Sequence, residues 1–188
     1  MQDWILASSS KRRIQLLEEI GFHFRCISPT VEEVKQPGNH STAWVATTNA
    51  QRKAQAVSEE YPDAYVIGAD TIVIMNEEVF NKPKDLAEAK TMLQKLSGKT
   101  HLVTTAVSIL CKNNHIAYNF SDTTQVHFSE LNTHFIENYL NFVQPLDKAG
   151  GYAIQHPLSK SFIRIEGSYA NVMGFPIECF QNILAKYF

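Results

Sequence analysis

The sequence predicts a mixed α/β fold, with a twisted central sheet flanked by helices in two lobes around a cleft. Three observations predict it. A short apolar run, a polar turn and a helical pattern open the chain. Runs rich in Val, Ile, Thr and Phe fill the middle. Helical patterns recur on either side of those runs, so strands and helices alternate early and strands follow one another later.

Trp4 to Ala7 reads as a buried strand. It is followed by Ser8, Ser9 and Ser10, then by a helical pattern with apolar Ile14, Leu16, Leu17 and Ile20. Ser10 suits the N-cap and Gly21 the stop. Phe24 to Ile27 reads as a second strand, and Ser28 to His40, with Pro29, Pro37 and Gly38, as a loop. Ser41 or Thr42 caps a helix to about Ser58. Tyr65 to Met75 is a strand-like run interrupted by Gly68-Ala69-Asp70-Thr71.

Asp85 starts a helix with Glu88 three residues on, a capping box, and that helix ends near Gly98. His101 to Leu110 and Ile116 to Phe128 read as strands joined by the turn Lys112-Asn113-Asn114. Asn132 or Thr133 opens a helix to about Phe142. Ala153 to Gln155 and Phe162 to Ile165 read as short strands. Pro176 begins a last helix, since Pro is favoured in a first turn.

The 188 residues suit one domain, and 44% hydrophobic with 19% charged residues suits a packed core. A net charge of -2 lacks the basic surplus needed for a generic grip on nucleic acid. Cys26, Cys111 and Cys179 are odd in number and far apart, which fits reduced thiols. Asp3 and the polar run Ser8 to Arg13 break any signal-peptide core, and no run approaches the ~18 apolar residues of a membrane span. The expected location is therefore the cytoplasm.

Five segments carry candidate chemistry. In Ser8 to Arg13, hydroxyls, a helix N-terminus and two guanidinium forks converge, which suits phosphate oxygens. The same run also suits a solvated helix start. Glu32-Glu33 suits Mg²⁺ or an ordinary charged loop. Asp70, among Ile67, Ile72, Val73 and Ile74, is costly to bury, so a metal-binding or proton-accepting role outweighs a turn. Lys53, Lys82 and Lys84 read singly as surface charge. In Asp147 to Gln155, glycines permit close backbone approach, and Gln155 offers the donor and acceptor that read a base edge. The histidines show no metal-ligand spacing, and none stands near a nucleophile-elbow serine.

In this order the segments resemble the Maf family of nucleoside triphosphate pyrophosphatases. The matching stretches are Leu6 to Arg13, Glu32-Glu33, Asn49 to Ala54, Gly68 to Thr71 and Lys82-Pro83. They continue with Leu96-Ser97-Gly98 and His101, Asp147 to Gln155, and Ile165 to Tyr169 through Val172, Gly174 and Pro176. The set spans nearly the whole chain. The resemblance implies a single domain over residues 1–188 with the inosine triphosphatase-like fold, and often a homodimer. It also implies Mg²⁺ or Mn²⁺ dependence and release of pyrophosphate. Arg12, Thr71 and Gln155 match the branch acting on dTTP and UTP; the 7-methyl-GTP branch tends to carry Trp-Arg, Gln and Glu there. The chain departs from the family at Lys11, Asn81, His156-Pro157 and Phe175, where Pro, Gly, Gly and Leu are usual.

The expected mechanism has Asp70 orient and deprotonate a water, and Glu33, with Asp70 or through water, hold the metal. Ser8, Arg12, Arg13, Lys53 and Lys82 stabilise phosphate charge. Thr71, Gln155 and Arg12 favour a pyrimidine. Asp70, Glu33, Lys53 and Lys82 are the expected catalytic residues, and Ser8, Arg12, Arg13, Thr71 and Gln155 the expected substrate contacts. Two other readings are a 7-methyl-GTP pyrophosphatase and a nucleotide-binding regulator of cell division without turnover.

Overall fold

The computed structural model describes residues 2–188. In chain order the elements are β1 (Trp4–Leu6), α1 (Lys11–Glu19), β2 (Arg25–Cys26), α2 (Thr42–Glu60), β3 (Tyr65–Met75) and β4 (Glu78–Phe80). Then come α3 (Leu86–Leu96), β5 (Thr100–Cys111), β6 (Ile116–Phe128), α4 (Thr133–Phe142), β7 (Ile163–Glu166), α5 (Tyr169–Met173) and α6 (Ile177–Tyr187). The strands form one mixed sheet in the order β2-β1-β3-β5-β6-β7, with β4 also pairing β3. β1 runs parallel to β2 and β3, and the remaining pairings are antiparallel.

Period-two alternation in β3 sorts its side chains between two faces of the sheet. Ile67, Ala69, Val73 and Met75 join the larger core with Leu16, Leu17, Tyr152 and Phe180. Ile72 and Ile74 pack under α2 with Val45, Ala46 and Ala50, and Val66 does so with Ala54 and Val57. The buried face of α2 carries Ala46, Ala50 and Ala54, so the helix approaches the sheet closely. That approach requires Gly68: a Cβ there would stand 2.1 Å from the Ala50 carbonyl oxygen.

The run from Tyr65 to Met75 is one unbroken strand, in contrast to the interruption its Gly-Ala-Asp-Thr suggests. Gly68 is present for helix contact, and Asp70 is paired in register with Ala106 of β5. The expected strand at Ala153 to Gln155 is instead a turn, closed by His156 N–H donating to Ala153 O at 3.0 Å. β4 and α5 were not expected; both are too short for a strong periodic signal.

The other helix ends follow the sequence. Asp85 accepts from Glu88 N–H at 2.8 Å and Asn132 from Phe135 N–H at 2.8 Å, each an N-cap. The Glu88 carboxylate reaches Lys84 N–H rather than the cap residue itself. Pro176 stands at the N-cap of α6, one place before the first turn.

The sheet positions the site through a gap. β1 stops with Leu6 opposite Ile67, and β4, which runs antiparallel, ends with Phe80 opposite Val73. Between those points, Gly68 to Ile72 pair only with β5. Asp70 and Thr71 lie in this gap on opposite faces, Asp70 toward α2 and Thr71 toward α1 and α5.

Candidate active site

A cavity of about 800 Å³ opens at the gap. One wall comes from the α1 side of the sheet and the segment 144–155, the other from α2 and the loop 28–35. Asp70, Glu33, Lys53 and Lys82 line it, as do Ser8, Arg12, Arg13, Thr71 and Gln155. The nine residues expected to carry catalysis or substrate contact therefore meet in one place. Glu32 and Lys84 do not line it; Glu32 uses its carbonyl oxygen to accept from Arg52 at 2.9 Å.

Asp70 is 8% exposed, and both its oxygens are engaged. Lys53 Nζ donates to Oδ1 at 2.6 Å and Asn49 Nδ2 to Oδ2 at 3.0 Å. Asn49 and Lys53 are one turn apart on α2, so the close packing over Gly68 brings both onto the strand. Lys53 Nζ also contacts Glu33 Oε1 at 2.6 Å, so one ammonium bridges two carboxylates. Burial alone would raise the Glu33 carboxyl, but Lys53, with Lys82 and Arg13, holds it below its ordinary value of 4.5.

Asn49 is the site residue that sequence reasoning named only within a matching stretch. Its amide pairs with Val34 as a backbone would, accepting from Val34 N–H at 2.7 Å and donating to Val34 O at 2.9 Å. It therefore sets the loop that presents Glu33. Its spacing of four from Lys53 is the signal that could have found it.

The two arginines differ. Arg13 is tied down: Nε donates to Gly174 O at 2.9 Å, Nη2 to Thr71 Oγ1 at 3.1 Å and Nη1 to Ser8 Oγ at 3.4 Å. Burial lowers its guanidinium pKa, opposed by Asp70 and Glu33. Arg12 is looser, with Asp147 at 3.5 Å through its carbonyl and 3.9 Å through its carboxylate. Ser8 Oγ accepts from Ser10 N–H at 3.2 Å and from Arg13, which leaves its own proton free. Ser10 makes no side-chain cap bond, so it leaves first-turn N–H groups of α1 to other acceptors.

On the same wall as the arginines, Thr71 Oγ1 lies 2.9 Å from Thr105 Oγ1 and is engaged with Arg13. Gln155 is exposed at the cavity mouth, and among the described residues its amide has no hydrogen-bond partner. Lys148 lines the cavity as well; its ammonium donates to Gln144 O at 2.6 Å and contacts the Asp147 carboxylate. Asn81 bridges the walls, donating to Lys35 O at 3.0 Å and accepting from Gly150 N–H at 3.2 Å.

Residues 3–187 match the family described as Maf-like protein. The chain belongs to the Maf family. It is 38% identical to a dTTP/UTP pyrophosphatase of Vibrio cholerae serotype O1, over 97% of each chain. It is 40% identical to a dTTP/UTP pyrophosphatase of Symbiobacterium thermophilum, over 100% of this chain and 95% of the relative. Among solved structures, the Staphylococcus aureus Ham1 protein superposes over 100% of both chains with a TM-score of 0.61 at 18% identity, a likeness of fold.

The Maf site also bears on a metal. Among the described residues no three His, Cys, Asp or Glu side chains cluster as a ready metal cage. Asp70 and Glu33 nevertheless converge on one cationic point, the Lys53 ammonium. Two carboxylates with phosphate and water for the remaining positions suit Mg²⁺ or Mn²⁺, and all-oxygen donors do not suit a soft metal. Among the described residues no helix is long and apolar enough to cross a membrane.

Proposed function

We propose that this chain hydrolyses nucleoside triphosphates, chiefly dTTP and UTP, to the monophosphate and pyrophosphate. The observation that carries the reading is the pair of carboxylates, Asp70 and Glu33, joined through Lys53 inside a cavity otherwise rimmed by Arg12, Arg13, Lys82 and Lys148. Acids and cations that share one cavity can divide the work of phosphoryl transfer, the acids handling water and metal and the cations the phosphate charge. The names of the relatives support the same reaction.

Asp70 accepts the proton of a water as that water's oxygen bonds to the α-phosphorus. The bond from that phosphorus to the oxygen bridging to the β-phosphorus breaks, and pyrophosphate leaves. Each Asp70 oxygen keeps a lone pair beyond the one held by Lys53 or Asn49, so the carboxylate is oriented yet still able to accept. Lys82, Arg12 and Lys148 face the charge that gathers on the leaving group. Bound at Asp70 and Glu33, Mg²⁺ or Mn²⁺ would neutralise phosphate charge and draw the triphosphate to these acids. Gln155, free at the cavity mouth, offers the amide that a uracil or thymine edge needs.

Pyrophosphate release tests this over dTTP, UTP, CTP, the purine triphosphates and 7-methyl-GTP, with Mg²⁺, Mn²⁺ or a chelator. Release from dTTP and UTP that stops with chelator is the expected result. Release chiefly from 7-methyl-GTP would overturn the base preference, and release from none would overturn the enzyme.

A further inference from the structure

Gln155 is carried by a turn whose first residue is held from outside the cavity. The Ala153 N–H donates to the Tyr139 hydroxyl at 3.0 Å, and the Ser159 hydroxyl donates to Ala153 O at 2.7 Å. The two hydroxyls lie 2.9 Å apart. Because the Ser159 proton is committed to Ala153 O, the Tyr139 proton must point to Ser159 Oγ. The result is a closed ring, Ala153 N–H to Tyr139 to Ser159 to Ala153 O, with one proton per link and one direction.

This ring is buried: Tyr139 is 1% exposed and Ser159 0%. It satisfies both polar groups of the Ala153 residue with side chains, which is why the segment forms no strand. Ala153 O also accepts from His156 N–H, so Ala153 anchors the turn in which Gln155 stands third. Neither Tyr139 nor Ser159 lines the cavity. Tyr139 is fixed in turn by ring contacts to Phe162 and Phe135.

We infer that Tyr139 and Ser159 are positioning residues for base selection: their ring on Ala153 fixes where Gln155 meets the pyrimidine edge. This rests on the nucleotide reading of the cavity. It separates two jobs in the molecule, with the acids and cations around Asp70 setting the rate and a buried clamp on the other wall setting discrimination.

The test compares Tyr139→Phe, Ser159→Ala, Gln155→Ala and the double variant Tyr139→Phe/Gln155→Ala, with UTP and CTP, well below each melting temperature. In Tyr139→Phe, KM for UTP should rise and the UTP-to-CTP ratio of kcat/KM should fall, each about tenfold, the size of one well-placed hydrogen bond. Its kcat should stay within about twofold, because no transition-state contact is removed. Gln155→Ala should lower the ratio similarly, and the double variant should lower it no further. Equal losses on UTP and CTP, or losses that multiply in the double variant, would overturn the inference. Should Tyr139→Phe fail to fold, Ser159→Ala carries the same comparison.

Wild-type protein that releases pyrophosphate from no nucleotide would refute the proposed function by itself. The clamp is then decided by hydrogen exchange over residues 153–156. Exchange about tenfold faster in the hydroxyl variants, with the rest of the chain unchanged, supports it, and unchanged exchange overturns it.

Discussion

Gly68 of β3 lies directly beneath Ala50 of α2, so close that a Cβ on the glycine would stand 2.1 Å from the Ala50 carbonyl oxygen and 2.7 Å from Ala54 N. Both obstacles are helix backbone, which cannot rotate aside. Asn49 and Lys53 flank this contact and reach Asp70 from it. Gly68→Ala should therefore push α2 outward. Overpacking of this kind costs about 1–3 kcal/mol, and backbone obstacles place this case at the upper end. Turnover should fall further than stability explains, because Lys53 and Asn49 move off Asp70. Denaturant unfolding beside steady-state pyrophosphate release checks both; a variant with normal kcat would mean the helix contact does not set the site.

Asp70→Asn keeps the size of the side chain and an oxygen for Lys53. It removes the charge and the capacity to accept a proton from water. Loss of a positioned base lowers rate by about 10²–10⁴-fold, so turnover should drop by that much while the circular dichroism spectrum stays as in wild type. Full activity would remove Asp70 from the mechanism.

The arginines should separate by experiment although they are adjacent in the chain. Arg13 braces Gly174, Thr71 and Ser8, so Arg13→Ala removes one donor from polar groups of three segments at once. The loss should be about 1–3 kcal/mol of stability, visible in the thermal melt. Arg12 holds only long contacts to Asp147. Arg12→Ala should shift the melting temperature by less than about 2 °C and act instead by raising KM for the triphosphate. Equal effects of the two substitutions on the melt would contradict the brace.

What was legible in the sequence, and what was not, follows from the range of the forces involved. Asp70 stands out because a carboxylate conflicts with its apolar neighbours, whereas the Ser8 to Arg13 run, Glu33 in its polar loop and Gln155 gain weight only from the ordered set of segments. Helix caps such as Asp85 and Asn132 are local and were legible for that reason. Gly68-Ala69-Asp70-Thr71 misleads because Gly and Asp are depleted in strands, and only the approach of α2 and the gap between β1 and β4 explain them. The turn at Ala153 likewise depends on Tyr139 and Ser159, 14 and 6 residues away in the chain. The opposite facings of Asp70 and Thr71 follow from the unbroken strand, which that misleading motif hid.

His101 offers a prediction that rests mainly on its burial. Its ring is 1% exposed, Nε2 lies 2.9 Å from the Tyr152 hydroxyl, and Nδ1 has no partner among the described residues. Burial, with a smaller contribution from His127, lowers its pKa from 6.5 to about 4. In the folded chain the ring thus stays neutral down to about pH 4, whereas in the unfolded chain it takes a proton near pH 6.5. The unfolded state binds more protons between those values, so the contribution of His101 to stability falls as pH drops through that window and is constant above it. The full difference is about 3 kcal/mol. His101→Gln keeps a polar partner for Tyr152 but does not titrate. Denaturant unfolding from pH 8.5 to pH 4.5 should show wild type losing stability faster than His101→Gln as the pH falls below about 7, with the two curves parallel above that. Parallel curves throughout would mean that the His101 ring is protonated in the folded chain as readily as in the unfolded one.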